Sequence, residues 1–329
     1  MRLRAIILAA GKGTRMKSEM LKVAHKVAGK PIVNFVIETV REVGADQIYL
    51  VIGHQADLVK DITEPYRPIS YVYQEEQLGT GHAVMQVGPH IEVIDEEHII
   101  VLAGDCPLIS PETLRHLLAI HQESNATATI LTTKMEDPGS YGRILRGQMG
   151  TVMGIREAKD CSKKELGIKE INTGIYCFKT QELFDSLKLI TNENNQHEYY
   201  LTDIIHILKN KGDVIEAYCT QDSNEAIGIN TRMDLAQINR IIYDRNNKYF
   251  MQEGVTIIDP TTTFIDSTVK IGQDTIIHPF TMITGETIIG SDCKIGPSCY
   301  IKNGKIKDKT IVQPFTTTAA VPSETLTGL

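Results

Sequence analysis

Three cations surround one glycine-rich turn near the start of the chain. Leu8-Ala9-Ala10-Gly11-Lys12-Gly13-Thr14-Arg15-Met16 follows a short apolar run, with Lys22 seven residues beyond Arg15. Two glycines let the backbone approach an anion closely and aim its N–H groups at it. Lys12, Arg15 and Lys22 would add positive charge around such a nest, and the planar arginine fork can hold phosphate oxygens at two points. The spacing matches neither the dinucleotide GxGxxG turn nor the GxxxxGK[ST] loop. Glycine also serves tight strand exits, so the loop alone leaves both readings open. Asp105, in Ala103-Gly104-Asp105-Cys106-Pro107, likewise has two readings. It is a hard oxygen ligand for a phosphate-bound divalent cation, or a turn aspartate capping a helix that begins near Pro111. Unaided, Asn172 reads as a strand terminator and Glu157 as a solvated strand residue.

These residues need a scaffold, and two sequence periods describe it. Up to about residue 250, short apolar runs alternate with amphipathic stretches: Ala5 to Ala9, then Ile32 to Val43; Gln47 to Ile52, then Ala56 to Ile62; Ile99 to Leu102, then Pro111 to Glu123. This βαβ rhythm predicts an α/β domain with an open, mostly parallel, Rossmann-like sheet, which binds ligands at the carboxyl ends of its strands. Asp105 would stand at such an end. The run from Ala5 to Ala10 is too short for the apolar core of a signal peptide and suits a buried first strand. Beyond residue 255 a six-residue period takes over. Ile265, Ile271, Ile277, Ile283, Ile289, Ile295 and Ile301 follow it without a gap. One inward aliphatic residue every six is the mark of a parallel β-helix. The divisions expected are a first domain over 1–231, a linker helix over 232–252 with Leu235, Ile238, Ile241 and Ile242 on one face, and a short β-helix over 253–329 ending in a frayed polar tail.

Composition sets outer limits. A chain of 329 residues exceeds one ordinary core, and its 42% hydrophobic content contains no run long enough to span a bilayer. The net charge of −7 argues against a general nucleic-acid binder. Six scattered cysteines without a CxxC pair suit the reduced thiols of a cytosolic protein.

The phosphate loop, Lys22 and Ala28-Gly29-Lys30-Pro31 together resemble the sugar-1-phosphate nucleotidyltransferases. The likeness is strongest to the uridylyltransferase half of the bacterial bifunctional N-acetylglucosamine-1-phosphate uridylyltransferase/glucosamine-1-phosphate acetyltransferases. It continues through Gln74, Gln77-Leu78-Gly79-Thr80-Gly81-His82-Ala83, Gly104-Asp105-Cys106-Pro107-Leu108-Ile109, Tyr141-Gly142-Arg143-Ile144, Glu157, Ile171-Asn172-Thr173-Gly174, Glu198 to Asp203 and Gly228-Ile229-Asn230. The resemblance implies attack of a sugar phosphate oxygen on the α-phosphorus of UTP, with pyrophosphate leaving. Arg15 and Lys22 are then the catalytic cations; Ala10, Gly11, Gly13, Gln74, Gly79 and Thr80 bind the nucleotide. Gly142, Glu157, Asn172 and Thr202 hold the sugar, and Asp105 and Asn230 ligate Mg²⁺. It also implies a left-handed β-helix and a homotrimer, with no membrane or nucleic-acid partner.

Two departures stand beside the match. Leu21 replaces a frequent proline and Ala24 a frequent leucine, which predicts a looser presentation of Lys22. No counterpart of the acetyltransferase residues is found, so the second activity is expected to be absent. Rival readings are another nucleotide and sugar-1-phosphate pair, such as glucose-1-phosphate with dTTP or UTP, and a silent sugar-nucleotide sensor. A sensor would be expected to lose Arg15, Lys22, Asp105 or Asn230, and all four are present. His54 and His82 are expected to be structural, because an ionised phosphate needs no general base, and His197 and His206 to be surface and helix residues and not metal ligands.

Overall fold

Successive residues of a β-strand face opposite ways, so a strand covered on both sides must be apolar throughout. Past its exposed Arg2, the first strand meets that condition at every position but Arg4, which is buried in an ion pair with Glu97: Leu3, Ala5 and Ile7 enter one buried cluster and Ile6 enters another. In the computed structural model, which describes residues 2–92 and 97–318, the chain forms two compact units. One comprises Met1–His25 with Ile32–Thr231, the other Lys26–Pro31 with Arg232–Leu329.

The strands of the chain up to residue 220 are β1 (Arg2–Leu8), β2 (Lys26–Val27), β3 (Lys30–Pro31), β4 (Gln47–Ile52), β5 (Ser70–Tyr73), β6 (Glu97–Ala103), β7 (Ala128–Lys134), β8 (Arg143–Arg146), β9 (Val152–Arg156), β10 (Glu170–Lys179) and β11 (Ile215–Thr220). All but the β2–β3 ribbon share one sheet in the order β11-β7-β10-β6-β1-β4-β5, with β8 and β9 branching from β10. Strands β6, β1, β4 and β5 run parallel, while β10 is antiparallel to both β6 and β7. The carboxyl ends of four parallel neighbours therefore lie along one edge. They deliver Ala9 and Ala10, Gly53, Gln74 and Asp105 to it.

Helices cover both faces. Val33, Val36, Ile37 and Val40 of α1 (Ile32–Glu42), with Leu114 and Leu117 from the fourth helix described below, pack on one face. Apolar residues of α2 (Ala56–Thr63) join that side, whereas Val84 of α3 (Thr80–Met85) packs on the other. The fourth helix, α4 (Pro111–Glu123), has Pro111 in its first turn and Ser110 as its cap, whose hydroxyl accepts from Thr113 N at 3.1 Å. The capping role that competes for Asp105 is thus filled by Ser110. Leu183 and Leu187 of α5 (Thr180–Leu187) and Ile204, Ile205 and Leu208 of α6 (Asp203–Lys211) complete the second face.

In the other unit, α7 (Arg232–Gln252) buries Ile238, Ile242 and Phe250, with Asn247 donating to the carbonyls of Pro260 and Thr263 at 3.1 and 2.8 Å. The hexapeptide region builds three parallel sheets, and partners such as Ile265↔Ile283↔Ile301 stand one full coil apart. The isoleucines at 265, 277, 283, 289, 295 and 301 are at most 2% exposed, while Ile271 is only half-buried. Two residues before each isoleucine lies a second inward row, Thr263, Val269, Thr275, Thr281, Thr287, Cys293 and Cys299, all buried. Its threonines hold the prism together: Thr275 and Thr281 donate to the carbonyls of Gly290 and Gly296 at 2.8 and 3.2 Å.

One irregularity and one correction stand beside the expected pattern. The period continues past Ile301, but one residue is missing at the Asn303-Gly304 turn, so Ile306 pairs with Ile289 and Val312 with Ile295. At this turn Asn303 takes a positive φ of 53°, as residues of the other turns do, and accepts from Glu286 N at 3.0 Å. Secondly, Thr317–Thr318 forms a strand on Tyr300 and Ile301 with Thr318 buried, so those residues are not frayed. The rest of the expected frayed tail, 319–329, lies outside the described residues. Among the described residues no helix is long and apolar enough to cross a membrane.

Candidate active site

The glycine loop leaves β1 with its backbone close to the neighbouring strands. Ala9 N donates to Val51 O at 2.8 Å, and a Cβ at Gly53 would stand 2.9 Å from Gln74 O and 3.2 Å from Ala10. Ala10 and Gln74 are therefore brought together around a residue that must be small. Gly13 has a φ of +64°, and a Cβ there would lie 2.6 Å from the Lys22 Cβ. This is the one position in the loop where glycine is demanded twice, by conformation and by contact. Gly11, Lys12 and Arg15 are exposed along the open side, and Met16, 1% exposed, pins the turn to the core.

Lys22 is held more firmly than its departures from the family pattern predict. Leu21, Val23 and Ala24 are all buried. Leu21 N donates to Gln55 Oε1 at 3.1 Å, and Gln55 Nε2 donates to Glu19 O at 2.7 Å. A glutamine bridge takes over the stiffening that proline would give, and sequence reading missed Gln55 because its partners are 34 and 36 residues away.

The central contact joins all four residues singled out for cation and phosphate chemistry. The Lys22 ammonium pairs with the Asp105 carboxylate through Oδ2 and reaches Asn230 Oδ1 at 3.3 Å. Arg15 Nη2 donates to the same Asn230 oxygen at 2.9 Å. Ile229 N donates to Asp105 O at 3.0 Å, which ties the segment bearing Asn230 to the end of β6. A Cβ at Gly228 would come within 3.3 Å of Asp105 Oδ1, so this glycine keeps the carboxylate face open. Two hard oxygens thus converge on one cationic group, here an ammonium. The pair suits a divalent cation that takes its remaining ligands from phosphates and water.

On the nucleobase side, Gln74 Nε2 lies 3.1 Å from Gly79 O. Thr80 Oγ1 accepts from Leu201 N at 3.2 Å, and Gly81 N donates to Tyr199 O at 2.8 Å. The turn from Gly79 to Gly81 therefore rests on the segment before α6, and a Cβ at Gly79 would fall 2.6 Å from Tyr199 O.

The four sugar-side candidates form two pairs. Thr202 donates to Glu157 Oε1 at 3.1 Å, and Asn172 N donates to Gly142 O at 2.9 Å. Tyr176 relates them: its hydroxyl accepts from Asn172 Nδ2 at 2.6 Å, and burial, aided by the nearby Glu157 charge, pushes that phenol up. Burial pushes the Glu157 carboxyl up as well, the Thr202 hydroxyl partly opposing and Asp160, Asp203 and Glu198 adding to the rise. Sequence reading gave Tyr141, Tyr176 and Gly228 no role. Gly228 N donates to the Tyr141 hydroxyl at 3.2 Å, linking the Asp105 end to the sugar-side end. The signal for Tyr141 was its place inside the Tyr141-Gly142 stretch, and Tyr176 stands just past Asn172-Thr173-Gly174.

His206 is exposed on α6 and His197 on the loop before it, as expected of surface and helix residues. A separate cavity of about 850 Å³, lined mainly by apolar groups such as Leu78, Met85, Phe184 and Ile190, contains none of the four central residues. The convergent charges, not the cavity, mark where chemistry can occur.

Known proteins match this arrangement. Residues 5–170 match the MobA-like NTP transferase domain, and residues 268–303 the bacterial transferase hexapeptide repeat. The Bifunctional protein GlmU of Halalkalibacterium halodurans is 47% identical over 313 residues, covering 94% of this chain and 67% of that protein. The Enterococcus faecalis GlmU is 46% identical over 311 residues, with 94% and 67% covered. A solved UDP-glucose pyrophosphorylase complexed with UDP-glucose superposes with a TM-score of 0.60 at 17% identity, over 74% of this chain and all of that one, a likeness of fold. With such identity across nearly its whole length, the chain belongs to the GlmU family of nucleotidyltransferases.

Proposed function

We propose that the site transfers a uridylyl group from UTP to N-acetylglucosamine-1-phosphate, releasing pyrophosphate. The observation that carries this reading is the convergence of Arg15, Lys22, Asp105 and Asn230 on one point at the strand ends. A triphosphate and a sugar phosphate bring about six negative charges together, and their repulsion at contact is large in a low dielectric. Asp105 and Asn230 would hold Mg²⁺, which when bound supplies charge neutralisation and orientation. Arg15 and Lys22 stabilise charge on the transferring and leaving phosphates, beside the backbone of Ala10, Gly11 and Gly13. Gln74, Gly79 and Thr80 read the base, while Gly142, Glu157, Asn172 and Thr202 hold the sugar. No protein nucleophile is required, because the attacking phosphate is already ionised and catalysis is positioning plus charge stabilisation.

The β-helix supports a trimer, and we assign the chain to the cytosol on its six free thiols. Phe280 and Phe315 are 68% and 77% exposed, and they occupy one corner of the prism with Ser298 between them. Exposed aromatic groups in a row are costly in water and suit burial against another copy.

Three outcomes test this reading. Pyrophosphate release should be fastest with UTP and N-acetylglucosamine-1-phosphate, and Arg15→Ala should reduce it about 10²-fold or more; release with a different pair would replace the substrates, and an unaffected variant would remove Arg15 from the chemistry. The raised Glu157 pKa means its carboxylate gains a proton at higher pH than a free glutamate as pH falls. If the ionised form accepts sugar hydroxyl bonds, KM for the sugar phosphate should rise on acidification from above the ordinary range near ~4.3, and Glu157→Gln should lose that part of the profile. A profile identical in both proteins would contradict the role. Sedimentation should give a trimer for the native chain and smaller species for the double variant Phe280→Ser/Phe315→Ser; a monomeric native chain would refute the assembly.

A further inference from the structure

Gln74 can meet a base in two opposite ways, because its amide offers an acceptor or a donor depending on which end faces out. Neighbouring atoms decide between them. The Gln74 Nε2 atom lies 3.1 Å from Gly79 O and 3.1 Å from His82 Nδ1. A backbone carbonyl can only accept, so Gly79 requires the amide nitrogen to be on its side. The second amide hydrogen then points at His82 Nδ1, which must present its lone pair and carry the ring proton on Nε2. Gln86 stands 3.0 Å from that Nε2. To accept from it, the Gln86 amide must turn its oxygen inward, which forfeits a weaker bond than the one Gln74 would lose. It is half-buried, and its other contact is a long one of 3.3 Å to the His82 carbonyl.

The chain of donors and acceptors leaves one group unspent. Gln74 itself is 4% exposed and its backbone is fixed by the 2.8 Å bond from its N–H to Ile52 O. Both amide hydrogens are used, and among the described residues no donor is bonded to Oε1. A turned amide would set Oε1 against Gly79 O, lose that bond, and face His82 only if the ring proton moved to Nδ1.

We propose that His82 is a positioning residue for nucleobase choice: it locks the Gln74 amide so that its oxygen faces the base as a hydrogen-bond acceptor. Such an acceptor matches pyrimidines that carry N3–H, as uracil does, and opposes cytosine, whose N3 is itself an acceptor. The inference rests on the reading that Gln74 faces the base. Rejection by an unpaired buried polar group is stronger than rejection by fit alone, which gives a half-buried histidine outside the phosphate chemistry a measurable effect on specificity.

The test is kcat/KM of the full chain with UTP and with CTP, using N-acetylglucosamine-1-phosphate, for the native protein and for His82→Phe, His82→Asn and Gln74→Ala. Phenylalanine keeps a ring beside Tyr199 but removes the acceptor. It should lower the UTP-to-CTP ratio about 10-fold, chiefly through KM for UTP, as loss of one buried hydrogen bond implies. Asparagine places Oδ1 near the position of Nδ1 and should restore most of the ratio. If Gln74→Ala collapses the ratio while His82→Phe leaves it native or slows both nucleotides equally, the positioning role is wrong and the base reading stands. If Gln74→Ala leaves the ratio intact, the base reading has failed and takes the proposal with it. Should His82→Phe not fold, judged by far-UV circular dichroism, His82→Ala replaces it with the same expected ratio.

Discussion

Two polyanions have to be held within bonding distance, and the fold places oppositely charged and hard-oxygen groups where that demand is greatest. Asp105 stands just past the end of β6, Asn230 follows a loop pinned to Asp105 by its Ile229 N–H, and Lys22 and Arg15 arrive from the first strand's exit. The side chains of Lys22 and Asp105 are only 17% and 13% exposed. An ion pair this sheltered is poorly screened by salt, and removing one partner leaves the other charge without compensation. The same shelter lets a bound cation act through a low effective dielectric.

Much of the surrounding architecture follows from keeping those groups in place. A loop carrying Lys22 must pass close to the glycine turn, hence the glycine at position 13, whose missing Cβ leaves room for the lysine stem. The loop must not drift, hence the buried Leu21 and Val23 and the Gln55 bridge. Gly228 leaves the Asp105 carboxylate face clear and donates to Tyr141, so the Asp105 region and the region of Tyr141 and Gly142 share a hydrogen-bonded boundary. Tyr176 extends that boundary to Asn172.

What could be read in the sequence was whatever depends on local order. The βαβ rhythm gave α1, β4, α2 and α4 nearly as they stand, and the isoleucine period gave the β-helix, because burial on a regular element repeats at that element's own spacing. The four central residues were legible through resemblance, and their convergence required the fold. What stayed hidden depends on distant partners or single-residue irregularities. Gln55 and Tyr141 act on residues 34 and 87 positions away along the chain, whereas Tyr176 meets Asn172 four residues away on the same strand. The turn at Asn303 drops one residue, which breaks a strict six-residue count although the inward pattern resumes at Ile306, Val312 and Thr318. Ser110 took the capping role left open for Asp105 by standing directly before Pro111, a local signal that outweighed distance from the strand end.

The central claim is that Asp105 and Asn230 form one divalent-cation site served by the phosphate loop. Binding of Mn²⁺, a spectroscopic stand-in for Mg²⁺, can be followed by electron paramagnetic resonance in the presence of UTP for the native chain and for Asp105→Ala. The account predicts one ion bound by the native protein and its loss, together with loss of pyrophosphate release, in the variant; retention of the same bound ion by a folded Asp105→Ala protein would contradict it.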